Sequence, residues 1–351
     1  MDTLPSYKAG KRPPARSDVV TYKSSSNENP YEPLTEVVQA VTQAATRMNR
    51  YPDPLATDMT AALAARFGVS ADEVSTGTGS VGILGQLIQA TVDAGDEVIF
   101  AWRSFEAYPI VTAIAGGIAV RVPLLAEEHD LDAMAAAITP ATRLIFLCSP
   151  NNPTGTVIKQ WDFDAFITKV PQDVLVVIDE AYNEFVTDPD ALNGLAAYRA
   201  HGNVAVLRSF AKAYGLAGMR VGACIASPEV TAALRKTAVP FGVSEMAQVA
   251  VLTSLVHEDK LRERVASIVK QREHVVQAVR DLGIAVEPQQ ANFIWLRLGD
   301  KTAQFAQACE DAGVVVRPFI DGDKQGAGVR ITVGEPEADA RVLAVLSGFF
   351  N

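Results

Sequence analysis

The feature that most constrains the fold is a set of short apolar runs separated by alanine-rich stretches. Val174–Ile178 is one such run, with four β-branched residues among its five. Strands buried on both faces have this composition, because helices cover both sides of a parallel sheet. Between residue 31 and about residue 245, such runs alternate with stretches of helical character. The sequence therefore predicts an α/β fold with a mainly parallel sheet.

The length of the chain predicts more than one domain. A chain of 351 residues, 48% of them hydrophobic, exceeds the usual size of a single core. We predict an N-terminal arm over residues 1–30, a large domain over 31–245 and a small domain over 246–351, with the arm packed against the small domain. The amphipathic segment from His257 to Leu282 predicts a long helix that leads into the small domain, where Asn292–Leu296 is a predicted strand.

Charge and composition argue against several classes of protein. The net charge of -10 disfavours binding to nucleic acid or to anionic membranes. No apolar stretch approaches about 18 residues and the N-terminus lacks a hydrophobic signal region, so we expect a cytoplasmic protein. Cys148, Cys224 and Cys309 lack metal-ligand spacing and the four histidines are scattered. We therefore expect inert core thiols and no metal site.

One lysine stands among small residues directly after a predicted strand. Ser209-Phe210-Ala211-Lys212 follows the apolar run Val204–Arg208, so the amine falls where open α/β sheets bind ligands. Arg220 offers a permanently charged fork for a phosphate, and Ser209 offers a hydroxyl donor. Amine, hydroxyl and guanidinium together suggest pyridoxal 5'-phosphate, whose aldehyde and phosphate need such partners. The alternative is that Lys212 and Arg220 are solvated surface charges.

Polar residues also follow two other apolar runs. Asp179 comes directly after Val174–Ile178, and its carboxylate could pair with a pyridinium nitrogen and keep it protonated. A helix N-cap is the alternative for this residue. Tyr182 could hydrogen-bond the 3'-oxygen of the ring. Asn152 follows Leu144–Cys148 and could donate to the same oxygen, although Asn-Pro-Thr-Gly is also an ordinary turn sequence.

The segment Gly77-Thr78-Gly79-Ser80-Val81-Gly82 matches the dinucleotide-binding pattern G-x-G-x-x-G, which raises the alternative of a dehydrogenase. That fold needs a long apolar strand before the glycines and an acidic residue at the end of the next strand. Here only Glu73–Thr76 precedes the glycines, and Asp96 and Glu97 stand at the start of the next strand. The context favours instead a helix whose free N-H groups hold a phosphate.

Taken in order, these motifs resemble those of the fold-type I pyridoxal-phosphate-dependent aminotransferases, most of all the branch that holds histidinol-phosphate and aromatic amino acid aminotransferases. The motifs are Asn152-Pro153-Thr154-Gly155, Asp179-Glu180-Ala181-Tyr182, Ser209-Phe210-Ala211-Lys212 and Arg220. The resemblance implies a large domain with a mainly parallel sheet and a smaller α+β domain. It also implies transfer of an amino group to a 2-oxo acid through alternating pyridoxal and pyridoxamine forms of the cofactor. Lys212 is implied as cofactor anchor and proton carrier, with Asp179 and Tyr182 as further catalytic residues.

The resemblance assigns cofactor-binding roles to further residues. Gly79, Ser80 and Val81 match the loop that binds the cofactor phosphate, although many relatives carry an Asp-Glu pair where this chain has Val81 and Gly82. Phe105 falls where an aromatic ring stacks on the pyridine. Tyr51 matches a tyrosine that reaches the phosphate of the neighbouring subunit's cofactor, which implies a homodimer with shared active sites. Plain packing is the alternative for Tyr51 and Phe105.

The implied substrate-binding residues lie near both ends of the chain. Arg330 matches the arginine that pairs with the substrate carboxylate, and Arg317 matches a second, more variable anion contact. Their segments, Val314–Pro318 and Gly328–Val333, predict a hairpin. Arg317 is alternatively a surface charge at a strand end. The full predicted set is Arg330, Arg317, Tyr7, Asn27 and Asn152.

The resemblance leaves the amino donor open. The stretch from Trp102 to Tyr108 and the altered phosphate loop look more like the aromatic enzymes of actinobacteria, so we favour aromatic L-amino acids, with a pocket built partly from Tyr7, Phe105 and Tyr108. The alternative is histidinol-phosphate aminotransferase of histidine biosynthesis, because Arg330 suits a phosphate as well as a carboxylate. A ligand sensor without activity would need an appended DNA-binding module, and no basic helix-turn-helix segment flanks the domain.

Overall fold

The computed structural model describes residues 6–7, 9–13, 17–320 and 327–350. The strands, in chain order, are β1 (Tyr22–Lys23), β2 (Val74–Gly77), β3 (Glu97–Trp102), β4 (Ile118–Pro123), β5 (Thr142–Cys148), β6 (Leu175–Asp179), β7 (Val204–Ser209), β8 (Gly222–Ile225), β9 (Phe293–Arg297), β10 (Val314–Val315), β11 (Arg317–Phe319) and β12 (Gly328–Thr332). The α-helices are α1 (Thr35–Ala45), α2 (Thr57–Phe67), α3 (Gly79–Thr91), α4 (Ala107–Ile114), α5 (Leu131–Ala136), α6 (Gln160–Ile167), α7 (Gly194–Ala200), α8 (Pro228–Thr237), α9 (Glu245–Val256), α10 (Glu258–Asp281), α11 (Thr302–Asp311) and α12 (Pro336–Phe350).

A large sheet organises the part of the chain that the structure describes, with seven strands in the order β2-β8-β7-β6-β5-β3-β4. The five strands β3 to β7 run parallel to one another. Strand β8 lies between β7 and β2 and runs antiparallel to both. The predicted α/β fold with a mainly parallel sheet is therefore confirmed. The parallel strands end at one edge of the sheet, so the residues that follow them are brought together there.

Both faces of the sheet are covered, which explains why its strands are apolar without alternation. On β5, Ile145 and Leu147 pack into one cluster together with helices α5 and α6, while Leu144 and Phe146 pack into a second cluster with α3 and α4. All four side chains are completely buried. Burial on both faces removes the need for polar residues on alternate positions, as expected for the centre of a parallel sheet.

Short polar signals set where several helices begin. Ser227 and Ser244 accept hydrogen bonds from the backbone N-H groups of Val230 and Ala247, which satisfies donors in the first turns of α8 and α9. Helix α3 begins instead at Gly79, and no side chain caps it. The N-H groups of its first turn are thus not used by an N-cap side chain.

A second, antiparallel sheet has the order β11-β12-β9 and packs against α10, α11 and α12. The predicted long helix corresponds to α10 and the predicted strand at 292–296 to β9. The predicted hairpin is only partly right. Strand β11 pairs with β12, but Val314 and Val315 pair with β1 in the N-terminal segment, in parallel. Val314 and Val315 are buried, and Tyr22 of β1 packs against the core that contains Val314. Residues 321–326, where the turn was expected, lie outside the described residues.

Contacts between the two sheets bring both halves of the chain to one place. Tyr182 and Ala213, which follow β6 and β7, pack with Ile268 of α10 and Phe293 of β9. Arm residues also take part, since β1 pairs with β10. The exact domain boundaries at residues 30 and 245 stay predictions. In the described part of the chain, no helix has both the length and the apolar character needed to cross a membrane.

Candidate active site

A cavity lies at the carboxyl ends of β5, β6 and β7, the edge at which parallel sheets bind ligands. The predicted site residues that line it are Tyr7, Asn27, Ser80, Val81, Phe105, Asn152, Asp179, Tyr182, Ser209, Lys212, Arg220, Arg317 and Arg330. Gly79 adjoins it as the first residue of α3. Tyr51 does not line it: its side chain is 83% exposed and stacks on Phe241, with ring centroids 4.5 Å apart.

The Lys212 amine lies in this cavity and is partly buried. Its Nζ donates to the backbone carbonyl oxygens of Ser26 and Asn27, both at 3.2 Å. Asn29 holds the lysine's own segment by donating to the carbonyl oxygens of Lys212 and Ala213. Burial, and secondarily the positive charge of Arg330, lowers the pKa of Lys212 to about 7. A large fraction of this amine is therefore neutral near neutral pH, the form that attacks a carbonyl or accepts a proton.

Asp179 is the last residue of β6 and has 3% of its surface exposed. Its Oδ2 accepts a hydrogen bond from the Tyr108 hydroxyl at 2.9 Å, and its Oδ1 accepts one from the Ala181 backbone N-H at 3.2 Å. Burial raises the pKa of Asp179 to about 6 despite these two donors. A carboxylate in such a setting gains stability from a cation placed beside it, which is the predicted function of this residue towards a pyridinium nitrogen.

A chain of hydrogen bonds links Tyr182 to the N-terminal segment. Asn27, whose backbone φ is 54°, donates from Nδ2 to the Tyr182 hydroxyl oxygen at 2.9 Å. Its backbone N-H donates to Oγ1 of Thr332 on β12 at 2.9 Å. Burial raises the pKa of Tyr182, so the phenol keeps its proton. With its oxygen already accepting from Asn27, Tyr182 can donate that proton into the cavity.

The first turn of α3 and Arg220 form a cradle suited to a phosphate. Gly79 has φ 77°, and a Cβ at this position would lie 2.5 Å from Nη2 of Arg220. A Cβ on Gly222 of β8 would lie 2.7 Å from the backbone nitrogen of Ser80. Glycine at both positions thus allows the guanidinium and the helix N-terminus to approach the same space, where N-H groups and a cation attract an anion. Ser209, at the end of β7, lines this part of the cavity.

Arg330 is held on three sides in the opposite wall. Its Nη1 donates to Oδ1 of Asn152 at 2.5 Å and its Nη2 to the carbonyl oxygen of Ser25 at 2.7 Å. Its guanidinium carbon Cζ lies 5.6 Å from the ring centroid of Phe293. Within the described residues, its buried Nε has no hydrogen-bond partner. Since Asn152 uses its oxygen on Arg330, its Nδ2 is the donor that it can offer to a ligand.

Two relationships around the cavity were missed from the sequence. Tyr108, expected in the pocket wall, is completely buried and supports Asp179 from behind, so that expectation was wrong. Glu180 and Arg208, adjacent to Asp179 and Ser209, form a buried ion pair at 2.8 Å that ties the ends of β6 and β7 together. The alternation of a strand could have revealed this pair, because neighbours of site residues point to the other face.

Comparison with known proteins agrees with this geometry. Residues 23–346 match the model of the family described as aminotransferase class I and II. The chain belongs to this family. Over 350 residues, this aminotransferase is 57% identical to the aromatic amino acid aminotransferase of Streptomyces coelicolor, covering 99% of this chain and 96% of that protein. It is 51% identical over 348 residues to the protein of the same name from Thermobifida fusca, covering 98% and 94%.

Solved structures give the same fold for this aminotransferase. The histidinol-phosphate aminotransferase from Sinorhizobium meliloti, in complex with pyridoxal-5'-phosphate, superposes with a TM-score of 0.86 at 29% identity, covering 94% of this chain and 91% of that one. The fold-type I expectation is thereby confirmed. The cavity also fits this cofactor by its own chemistry, since it combines the Lys212 amine, the buried Asp179 carboxylate and the cradle at Gly79 and Arg220.

Proposed function

We propose that this aminotransferase transfers the amino group of an aromatic L-amino acid, such as phenylalanine, tyrosine or tryptophan, to a 2-oxo acid. The observation that carries the proposal is that one cavity holds the amine of Lys212, which is partly buried, together with the buried guanidinium of Arg330. The amine suits attack on a carbonyl, and the guanidinium suits a carboxylate. Relatives over 50% identical that bear the name aromatic amino acid aminotransferase support the choice of donor.

Pyridoxal 5'-phosphate is the cofactor, and when bound it supplies the electron sink that makes the Cα proton of an amino acid acidic. Gly79, Ser80, Ser209 and Arg220 would hold its phosphate. Asp179 would pair with its ring nitrogen, and Asn152 and Tyr182 would donate hydrogen bonds to its 3'-oxygen. Phe105 would pack on its ring.

Lys212 and Arg330 then divide the work on the substrate. Arg330 binds the carboxylate, since its fork matches two carboxylate oxygens and its neighbours keep it fixed. The Lys212 amine removes the proton from Cα of the substrate, carries it on Nζ and gives it up again later in the reaction. A pKa of about 7 suits this function at neutral pH. Tyr7 lies edge-on to Phe105, with ring centroids 6.5 Å apart, and offers apolar surface to an aromatic side chain.

We further propose a cytoplasmic homodimer in which Tyr51 completes the partner's phosphate site. Two observations support the dimer: Tyr51 does not line the cavity of its own chain, and it forms an exposed stacked pair with Phe241. Aromatic residues are enriched in protein interfaces relative to the rest of the surface. The three buried free cysteines accord with a reducing compartment. The domain division at residues 30 and 245 belongs to the same proposal.

The proposal is tested by measuring kcat/KM of the purified holoenzyme with phenylalanine, tyrosine, tryptophan and histidinol phosphate, each with the same 2-oxo acid acceptor. We expect the aromatic amino acids to react with higher kcat/KM than histidinol phosphate. A higher kcat/KM for histidinol phosphate would overturn the choice of donor. Absence of amino transfer from all four compounds would overturn the proposed activity.

A further inference from the structure

Glu106 lines the cavity beside Arg317, and its carboxylate contacts two arginines. Its Oε2 accepts a hydrogen bond from Nη2 of Arg317 at 2.9 Å. Its Oε1 lies 3.7 Å from Nη1 of Arg103. Both Glu106 and Arg317 line the cavity, and their side chains are only 24% and 13% exposed. This ion pair is therefore partly desolvated, which makes it stronger than an ion pair on the open surface.

The pair stands next to the carboxylate-binding arginine. Arg317 on β11 lies directly opposite Arg330 on β12 in the sheet register. The guanidinium carbons of Arg103, Arg317 and Arg330 lie 5.2, 5.5 and 5.7 Å from the ring centroid of Phe319. Three cations thus surround one aromatic ring at this end of the cavity, and the Glu106 carboxylate is in contact with two of them.

We infer that Glu106 is a specificity-determining residue, which occupies Arg317 and thereby favours substrates whose only anion at this end is a carboxylate over substrates that carry a phosphate there. The inference rests on the proposed function, because it concerns the amino donor of the same site. Glu106 acts through Arg317, so it is a positioning residue for the second anion contact.

The physical reason is a difference in charge and in number of oxygens. A carboxylate carries one charge, and one arginine fork satisfies its two oxygens. A phosphate monoester carries about -1.5 to -2 charges near neutral pH and presents three acceptor oxygens, so it gains from a second arginine. To reach Arg317, a phosphate must displace the Glu106 carboxylate or lie beside it, and like charges in a partly desolvated site repel each other.

The pair also shows how the same two arginines could serve either donor. Arg330 accepts a carboxylate or a phosphate equally well as a fork, so Arg330 alone does not choose between them. The choice depends on whether the neighbouring Arg317 is bound to Glu106. With Arg317 bound to Glu106, the end of the cavity matches a singly charged anion and a neutral side chain.

The test uses two probes that differ only in the anion: 3-phenylpropanoate, with one charge, and 2-phenylethylphosphonate, at a pH where it carries two. Their Kd values are measured by titration calorimetry on holoenzyme of the wild type and of Glu106→Gln, which keeps the size of the side chain and removes its charge. Glu106→Asp keeps the charge. Glu263→Gln removes the same charge from an exposed position on α10 and is the matched control.

We expect the ratio of phosphonate Kd to carboxylate Kd to fall by about tenfold in Glu106→Gln. In Glu263→Gln the Kd ratio should stay within about twofold of the wild-type value, because surface charges at a distance are screened. In Glu106→Asp the Kd ratio should be closer to the wild-type value than to the Glu106→Gln value. A merely structural effect of Glu106 would weaken both probes together and leave the ratio unchanged; that result would overturn the inference.

A turnover assay separates this inference from the proposed function. Wild-type protein without amino transfer from aromatic amino acids would remove the proposed function, while a changed probe ratio in Glu106→Gln would still support the charge selection by Glu106. Conversely, wild-type turnover of phenylalanine with an unchanged probe ratio would support the activity and reject the inference about Glu106.

Discussion

The Tyr108 hydroxyl donates a 2.9 Å hydrogen bond to the Asp179 carboxylate within the core of the protein. Tyr108 is completely buried and stacks on Phe146, with ring centroids 4.6 Å apart and planes inclined by 11°. The hydroxyl is therefore fixed by the packing of its ring. Asp179 owes its position at the cavity to a residue that does not line the cavity.

Replacement of Tyr108 by phenylalanine should lower the free energy of unfolding by about 1–3 kcal/mol, because a buried carboxylate loses a donor. Turnover should fall as well, since Asp179 is less fixed. Urea denaturation and kcat/KM check both effects. Tyr198→Phe is the control, because the Tyr198 hydroxyl donates to Glu73 away from the cavity; it should lower stability but leave kcat/KM near the wild-type value. Equal losses of kcat/KM in both variants would contradict the conclusion that the Tyr108 hydroxyl supports turnover by fixing Asp179.

Burial of Asp179 also predicts how stability depends on pH in the cofactor-free protein. Burial raises the pKa of this carboxyl from 3.8 to about 6, so the folded state holds the proton more tightly than the unfolded state. The contribution of Asp179 to stability should therefore be fully present below pH 4 and be lost as pH rises to about 6. Asp179→Asn removes this titration. Urea denaturation at several pH values should show the variant gaining stability relative to the wild type across that window.

Parallel stability curves of the wild type and Asp179→Asn would show that the carboxyl has an ordinary pKa. In the holoenzyme the same substitution should reduce kcat by at least about 100-fold, as expected for loss of a charged group that acts on the reacting system. The two measurements are independent, because the first is made without cofactor.

The amine of Lys212 should react at lower pH than that of an ordinary lysine. Its pKa is lowered to about 7 by burial and by the Arg330 charge, so acetylation of the cofactor-free protein should reach half of its limiting rate near pH 7. Mass spectrometry can follow Lys212 and the exposed Lys236 in the same sample. Lys212 should be labelled at the lower pH. Labelling of both lysines with the same pH dependence would argue against the depressed pKa.

Removal of the amine should abolish the reaction. In Lys212→Ala, we expect the protein to lose the visible absorbance of the bound cofactor and at least about 1,000-fold in turnover, because both attack on the carbonyl and proton transfer need this group. Lys236→Ala should behave like the wild type. Unchanged amino transfer in Lys212→Ala would reject the central assignment.

Shared sites in a homodimer predict complementation between two inactive chains. If Tyr51 serves the partner's site, a heterodimer of Lys212→Ala and Tyr51→Ala chains contains one site with both residues intact. Co-expression with two affinity tags should yield heterodimers that have up to half of the wild-type activity, while each variant homodimer has little. Heterodimers no more active than the mean of the two homodimers would indicate that Tyr51 acts within its own chain or not at all.

The site could be predicted to the extent that its residues stand directly after apolar runs. Asp179, Asn152 and Lys212 were predicted in this way, and all three line the cavity, because the end of a strand can be recognised from the sequence. Tyr108 was not found as a partner of Asp179, since the two residues are 71 positions apart and no local pattern connects them. The ion pair of Glu180 and Arg208 was also missed, although strand alternation gave a local signal for it.

The hairpin near the C-terminus shows a second limit. Alternation of apolar residues identified both segments, but it could not tell that Val314 and Val315 pair with β1 while Arg317 pairs with β12. An alternating pattern shows which residues of a strand face a core, but it does not show which neighbouring strand they pair with. In the structure, Tyr22 of β1 packs against the core that contains Val314.

The class of fold and the strand-end residues that line the cavity follow from the sequence, because strand burial and the residues at strand ends are local properties. Tertiary structure alone decided how those groups are held: Tyr108 behind Asp179, Asn152 on Arg330, and Glu106 on Arg317. These contacts join residues that are distant along the chain. Their distances and burial set the charges and pKa values in the cavity, and those depend on solvent exclusion by the whole fold.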